Sequence, residues 1–505
     1  MLYRSTRGQS KGQGFESVVL EGLAADGGLY IPETLPSLPS DWQTAWAKLS
    51  FSELATELIS LFVGSDISRA ELSDLVHRSY ATFDTPEVTP LVGLDGKTHI
   101  LELFHGPTYA FKDVALQFLG NLFEFFLERR NAQKAAGEPD HKITVVGATS
   151  GDTGSAAIYG LRGKKNVSVF ILHPEGRVSP IQEAQMTTVL DANVHNVSIA
   201  GTFDDCQDIV KQLFGRADFK KQHSLGAINS INWARILAQI TYYFHAYFAL
   251  VRQGNAEPKP VFVVPSGNFG DILAGFYARS LGLPVGKLAI ATNANDILDR
   301  FLRSGKYEKN SAQGVLATPS PAMDILVSSN FERFLWYLAR DNEVVGTEAE
   351  RADLAGATIA QWMDELRASG SFAVSPKALE AARAVFWSGR CSDADTYTTI
   401  AKYYAKTPSY LLDPHTAVGV YVAETLAEDI AQLGSPDVVC LSTAHPAKFS
   451  EAVLKAVHDD GKSLDFESIL PPPFVGLLGK PRRCEHCENS ADAVAQLIVA
   501  KAASQ

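Results

Sequence analysis

Between residues 142 and 291 short apolar runs alternate with helical stretches, and no other feature constrains the fold of this chain as strongly. Lys142–Gly147 (KITVVG) reads as a buried strand, followed by a Gly-rich turn and a helix over 154–162. Further strands are expected at 166–172, 194–199, 260–264 and 288–291, and further helices at 179–190, 203–214, 230–251 and 271–281. Strands this apolar are buried on both faces, and helices between them carry the chain back to start the next parallel strand, so the fold class is α/β. The rhythm breaks over 303–407, which reads as a mainly helical, charged insertion, and resumes with a strand at 437–442 and a helix at 447–458.

A chain of 505 residues is too long for one hydrophobic core. The expected division is an N-terminal domain (1–92), an α/β core in two subdomains (93–302), the helical insertion (303–407), a return to the core (408–465) and a peripheral C-terminal tail (466–505). The leading domain opens with a turn at Asp26-Gly27-Gly28 and shows helical periodicity over 42–63 and 70–81. A net charge of −12 argues against nucleic acid or an anionic membrane as partner. No apolar stretch reaches the roughly 18 residues of a membrane span, and the first fifteen residues lack the apolar core of a secretory signal, so the expected compartment is the cytoplasm. The five cysteines are sparse and odd in number, which argues against a disulfide framework. Cys484-Glu-His486-Cys487 has metal-ligand spacing but no second half to complete a tetrahedral site, so no metal is assigned.

Three turns and one lysine carry the chemistry. His105-Gly-Pro-Thr108-Tyr-Ala-Phe-Lys112-Asp113 sets Lys112 among apolar neighbours, ahead of an amphipathic run over 114–130. Desolvation there favours the neutral amine, as a Schiff-base lysine requires, although a lysine snorkelling from a helix start would look the same. Thr149, Ser150, Gly151, Asp152 and Thr153 crowd a turn between strand and helix, and their amides and hydroxyls make a cradle for a carboxylate or phosphate. A helix cap would use one such residue, not four. Ser266-Gly267-Asn268-Phe269-Gly270-Asp271 follows the strand VFVV, and its flanking glycines let the backbone approach a phosphate. Thr443 ends the last core strand, where a hydroxyl either meets a ring nitrogen or caps a helix. A reactive lysine with two anion cradles points to pyridoxal phosphate.

HGPTYAFKD, ATSGDTGSAA (Ala148–Ala157), SINWARI (Ser230–Ile236), PSGNFGD and STAHPAKF occur in one order along the chain, with DGGLY near the start and SPAMDILVSSNFER at 320–333. In these motifs the chain resembles the long-form threonine synthases, over about residues 2–460. The resemblance implies a fold-type II pyridoxal phosphate enzyme, like the tryptophan synthase β chain, with two open, mostly parallel sheets covered by helices. It implies Lys112 as the cofactor lysine, Gly267, Asn268, Phe269 and Gly270, with Asp271 after them, as the phosphate loop, and Thr443 as the partner of the pyridine nitrogen. The 149–153 turn would hold the substrate carboxylate, and Asp152 stands where related synthases place an Asn near the cofactor's O3′. The substrate would be O-phospho-L-homoserine, its phosphate on Arg235 with Ser230 and Asn232, and His105 and Thr108 would face the same pocket. The implied reaction is γ-elimination of phosphate followed by addition of water at Cβ, giving L-threonine; the implied assembly is a monomer or homodimer. A phospho-lyase or a serine/threonine dehydratase of the same fold is the alternative reaction, and a non-catalytic binding protein the alternative class.

Overall fold

The computed structural model describes residues 1–310, 312 and 314–502, and the alternation resolves into two separate sheets. The larger has six strands in the order Phe386–Arg390, Lys287–Thr292, Val261–Pro265, Val438–Ser442, Thr98–Glu102, Leu91–Asp95. All its neighbours run parallel except the last pair, an antiparallel hairpin. The smaller sheet is fully parallel, in the order Glu485–Cys487, Val194–Ile199, Val167–Pro174, Ile143–Ala148, Leu225–Gly226. Every residue of Val261–Pro265, Val438–Ser442 and Val194–Ile199 is buried, as strands with helices on both faces require, although the last of these carries His195, Asn196 and Ser198 among its apolar residues.

The helix Lys112–Gln133 differs from the expected amphipathic run. Residues 112 to 123 are buried without exception, because the helix packs against three others, Arg69–Tyr80, Asp152–Leu161 and Trp233–Arg252. It is an interior helix, so no polar stripe faces water over its first three turns. Its N-terminus opens at the carboxyl end of the large sheet. The other chemically marked turns follow the carboxyl ends of Ile143–Ala148, Val261–Pro265 and Val438–Ser442, which is where open parallel sheets place their ligands.

Two expected boundaries fail. The stretch 303–407 contains Phe386–Arg390, a parallel strand that extends the large sheet, and a short hairpin pairing Lys306–Glu308 with Ser371–Ala373. The helix Pro376–Val385 ends where Phe386 turns extended into that strand. The tail is not peripheral either. Glu485–Cys487 adds the edge strand of the small sheet, and Ala491–Ala502 lays Val494 and Ile498 on Cys206, Ile209 and Leu213. In the leading domain Ser50 makes a capping box with Glu53, which splits the expected helix over 42–63 into Trp42–Ala45 and Phe51–Val63. Among the described residues no helix is long and apolar enough to cross a membrane.

Candidate active site

Lys112 is the first residue of its helix, and backbone hydrogen bonds tie its loop to the end of strand Val438–Ser442. Phe111 N donates to Thr443 O at 2.8 Å, His445 N donates to Tyr109 O at 3.0 Å, and Ala110 bridges Ala444. Two segments more than 300 residues apart in sequence are thereby fixed side by side. Tyr109 adopts φ 58° to make the turn, a left-handed conformation that this cross-bridging sustains. The Lys112 amine makes no hydrogen bond among the described residues; it lies 5.0 Å from the Phe111 ring centre and 3.9 Å from Asp152 Oδ2. Burial pushes its pKa down to about 8, against the pull of Asp152 and with the help of Lys448 and Arg235. The Thr443 side chain is buried and its hydroxyl has no partner among the described residues.

The 149–153 turn divides its labour. Thr149 is buried and its Oγ1 accepts from Gly151 N at 2.9 Å and Gly154 N at 2.8 Å, so its oxygen shapes the turn. Gly151 has φ 148° and lies against Gln182: a Cβ there would fall 2.5 Å from Gln182 Oε1. The Ser150 and Thr153 hydroxyls are unpartnered among the described residues, and the first-turn amides of helix Asp152–Leu161 have no intrahelical acceptor. Asp152 is buried. Its Oδ1 accepts from Lys448 Nζ and from Gln182 Nε2, both at 2.8 Å, while Oδ2 points toward Lys112. Burial works to raise the Asp152 carboxyl; Lys448 and then Lys112 override it and hold the group ionised far below the ordinary carboxylate range.

The second turn, 266–270, leads into helix Gly270–Leu281. Phe269, at φ 63°, reverses the chain just before the helix and leaves the amides of Gly270 and Asp271 without intrahelical acceptors. A strap over 320–330 braces it: Ser328 Oγ donates to Gly267 O at 2.7 Å and Asn330 N to Asn268 O at 3.0 Å. A Cβ on Gly267 would lie 2.9 Å from Ala322 O, so only glycine fits beneath the strap. The Asp271 side chain is turned away, leaving its backbone amide to the turn. Its Oδ1 accepts from Tyr242 at 2.5 Å and Tyr243 at 3.0 Å, away from the turn, and burial raises its pKa to about 7.

Arg235 is buried on helix Trp233–Arg252, where Nη1 donates to Ile228 O at 3.1 Å and Nε has no partner. Among the described residues no carboxylate pairs with it, and burial lowers its pKa to about 10. Ser230 is part-exposed nearby in sequence, and its carbonyl accepts from Asn330 Nδ2 at 3.1 Å. Two expected pocket residues are otherwise engaged. Asn232 caps its helix, accepting from Ala234 N at 3.0 Å and donating to Val19 O at 2.9 Å. Thr108 binds Asp113 through both its amide and its hydroxyl at 2.8 Å, closing the lysine loop on itself. His105 bridges Asp84 and Glu102, each at 2.8 Å; burial opposes its charging, but the Glu102 hydrogen bond and both carboxylates prevail and raise its pKa. Lys448 and Gln182 hold Asp152, and neither is among the residues that the sequence marks as part of the site. Lys448 stood in the quoted STAHPAKF motif; Gln182 carries no local signal.

Around Lys112 the site therefore gathers three cationic side chains, Lys112, Lys448 and Arg235, against the carboxylates of Asp152 and, more weakly, Asp113. Anionic ligands would balance this excess. An amine free of hydrogen bonds, an unpartnered hydroxyl at a strand end and a turn with free amides are the donor set that pyridoxal phosphate uses, so these residues fit that cofactor. The Cys484-Cys487 pair lies elsewhere, with Cys484 Sγ 3.6 Å from His173 Nε2 on the small sheet. Among the described residues no group of three metal-ligating side chains is assembled.

Comparison with known proteins matches residues 2–80 to the family described as threonine synthase N terminus, 83–342 to pyridoxal-phosphate dependent enzyme and 416–498 to threonine synthase, C-terminal. The threonine synthase of Schizosaccharomyces pombe is 56% identical over 494 residues, covering 95% of this chain and 94% of that protein. The crystal structure of threonine synthase from yeast superposes with a TM-score of 0.93 at 52% identity, over 100% of this chain and 99% of that one. A pyridoxal-phosphate-bound threonine synthase from Brucella melitensis gives a TM-score of 0.88 at 42% identity, over 99% of both chains.

Proposed function

Since the chain belongs to the threonine synthase family of pyridoxal-phosphate-dependent enzymes, we propose that its substrate is O-phospho-L-homoserine and that Lys112 both anchors the cofactor and moves the protons of the reaction. The activity is threonine synthesis, a carbon–oxygen lyase reaction of fold-type II. Bound pyridoxal phosphate supplies the electron sink that makes the substrate Cα and Cβ protons removable.

The residues of the chain divide the remaining work. The free amides and hydroxyls of Ser150 and Thr153 receive the substrate α-carboxylate at the start of helix Asp152–Leu161. The turn 267–271 receives the cofactor phosphate through its amides, and Thr443 Oγ1 meets the ring nitrogen. A hydroxyl there donates or accepts without forcing a charge on that nitrogen. Lys112 Nζ, once displaced by the substrate amine, takes the Cα proton; its lowered pKa keeps a usable fraction neutral near neutral pH. The same amine is in place for proton removal at Cβ, protonation at Cγ after phosphate leaves, and activation of the water that adds at Cβ.

One observation favours a phosphorylated substrate over the unphosphorylated hydroxyamino acid of a dehydratase. Arg235 is a buried guanidinium without a carboxylate partner, near enough to Lys112 to lower its proton affinity. A cation so placed matches a second phosphate, the substrate's own. In Lys112→Ala the visible absorbance of covalently held cofactor should vanish, together with release of phosphate and threonine from O-phosphohomoserine. Retention of that band would overturn the assignment, and wild-type protein yielding 2-oxobutyrate in place of threonine would overturn the reaction.

A further inference from the structure

Lys448 is a charged side chain of the site that the reaction above leaves without a role, and its side-chain exposure is 0%. It sits in the short helical turn Pro446–Phe449, directly after the Thr443 strand end. Its Nζ donates to Thr108 O at 2.7 Å and pairs with Asp152 Oδ1 at 2.8 Å. The first contact pins it to the lysine loop, the second to the start of the small-sheet helix. Gln182 Nε2 takes the same Oδ1 at 2.8 Å, and Ser179 Oγ holds the Gln182 amide in turn at 2.9 Å. Oδ1 is thereby saturated. Only Oδ2 remains, 3.9 Å from the Lys112 amine, too long for a hydrogen bond and close enough for strong attraction in a buried site.

We infer that Lys448 is a positioning residue: by holding Asp152 through Oδ1 it keeps that carboxylate from closing on Lys112, and so sets how readily Lys112 releases its proton. This rests on Lys112 being the cofactor lysine. The charges facing Lys112 are Asp152 from helix Asp152–Leu161, Lys448 from the turn after Thr443, Arg235 from helix Trp233–Arg252 and its neighbour Asp113, while His415 faces Asp152. Asp113 is bound to Thr108 and raised to about 6 by burial, so it is a weaker counter-charge than Asp152. Without Lys448 one of the two cationic neighbours disappears and Asp152 is left to act as counter-ion of Lys112. Both changes act in one direction: the Lys112 amine holds its proton more tightly. At a pKa of about 8, roughly one amine in ten is neutral at pH 7; one unit higher leaves about one in a hundred.

The test reads Lys112 directly, without turnover. Pyridoxal phosphate is added to the cofactor-stripped full-length chain and the pH dependence of its covalent capture is followed by absorbance. Lys448→Gln keeps a donor for Thr108 O and Asp152 but no charge; its midpoint should rise by about one pH unit, slowing capture at pH 7 by about tenfold. Lys448→Arg should stay within about twofold of wild type. An unmoved midpoint in folded Lys448→Gln, or an equal shift in both variants, would overturn the inference. Should Lys448→Gln not fold, Asp152→Asn reads the same coupling from the other side and should lower the midpoint; no change there also overturns it. Capture that survives in Lys112→Ala would mean instead that Lys112 is not the cofactor lysine, a separate failure.

Discussion

A guanidinium taken out of water loses a strong hydration shell, and among the described residues Arg235 regains one hydrogen bond, to the Ile228 carbonyl at 3.1 Å. Its Nε is buried and unpartnered, which a phosphate oxygen would correct. Arg235→Met should therefore leave the visible band of bound cofactor intact and lower kcat/KM for O-phosphohomoserine by roughly a hundredfold to a thousandfold, the usual cost of removing a charged donor from a developing or departing anion. Steady-state kinetics beside an absorbance spectrum check this, and unchanged kinetics would remove Arg235 from the phosphate pocket. At this scale the sequence was informative wherever chemistry follows from adjacent residues. Lys112 among Tyr109, Ala110 and Phe111, the crowded hydroxyls of 149–153 and the glycines of 267–270 announce themselves locally. It was silent on where a polar side chain serves its own turn: Thr108 donates to Asp113, Asn232 caps its helix, and the Asp271 carboxyl faces two tyrosines. Polar side chains satisfy backbone groups before they satisfy ligands, and spacing alone does not separate the two uses. Lys448 and Gln182 were silent because their importance comes from meeting Asp152 across the fold.

The 3.9 Å between Lys112 and Asp152 is set between two helices as well as by two side chains. Each residue begins its helix, and the pair Lys112–Gln133 and Asp152–Leu161 crosses at glycines. A Cβ on Gly120 would lie 1.9 Å from Gly160 O, and one on Gly160 would lie 2.5 Å from Leu116 O. Backbone meets backbone at this crossing, so neither contact can be relieved by a side-chain rotation. Gly160→Ala should force the helices apart, cost roughly 1–3 kcal/mol or more, and move Asp152 relative to Lys112. A thermal melt reads the first effect and a shift in the pH dependence of the cofactor band the second; a folded variant with wild-type stability would show that the crossing tolerates a methyl group. Helix positions were mostly legible, within a few residues, because the apolar periods are long. Their closeness was not. A glycine inside a helix reads from sequence as a weak point, and only the partner backbone shows why a side chain is excluded. The strand Phe386–Arg390 escaped for a related reason: its half-polar pattern, with Trp387, Ser388 and Arg390 only partly covered or exposed, is that of a sheet edge.

At the scale of the whole molecule, alternation of strand and helix predicted parallel sheets covered on both faces, and the structure has two. What it did not predict is which distant segments complete them, since pairing across hundreds of residues leaves no periodic trace. The large sheet takes its outer parallel strand from the 303–407 stretch, and the small sheet takes its edge from residues 485–487. The second closure bears on the site, because the small sheet carries the 149–153 turn and helix Asp152–Leu161. The tail also covers apolar surface: Val494 and Ile498 are fully buried against a cluster that includes Val197, Ile199, Cys206, Ile209 and Leu213. Fully burying a valine or isoleucine contributes about 1.5–3 kcal/mol, so these two together are a substantial part of a domain's usual net stability. Val494→Asp would both remove that burial and place an unpaired carboxylate among apolar side chains, at a cost of roughly 3–5 kcal/mol. The expected outcome is a melting transition several degrees lower in the small-sheet half, with the cofactor band lost along with it as the 149–153 turn loses its support. A tail that merely lay on the surface would tolerate the aspartate with no change in either signal, and that result would detach the C-terminal segment from the architecture of the site.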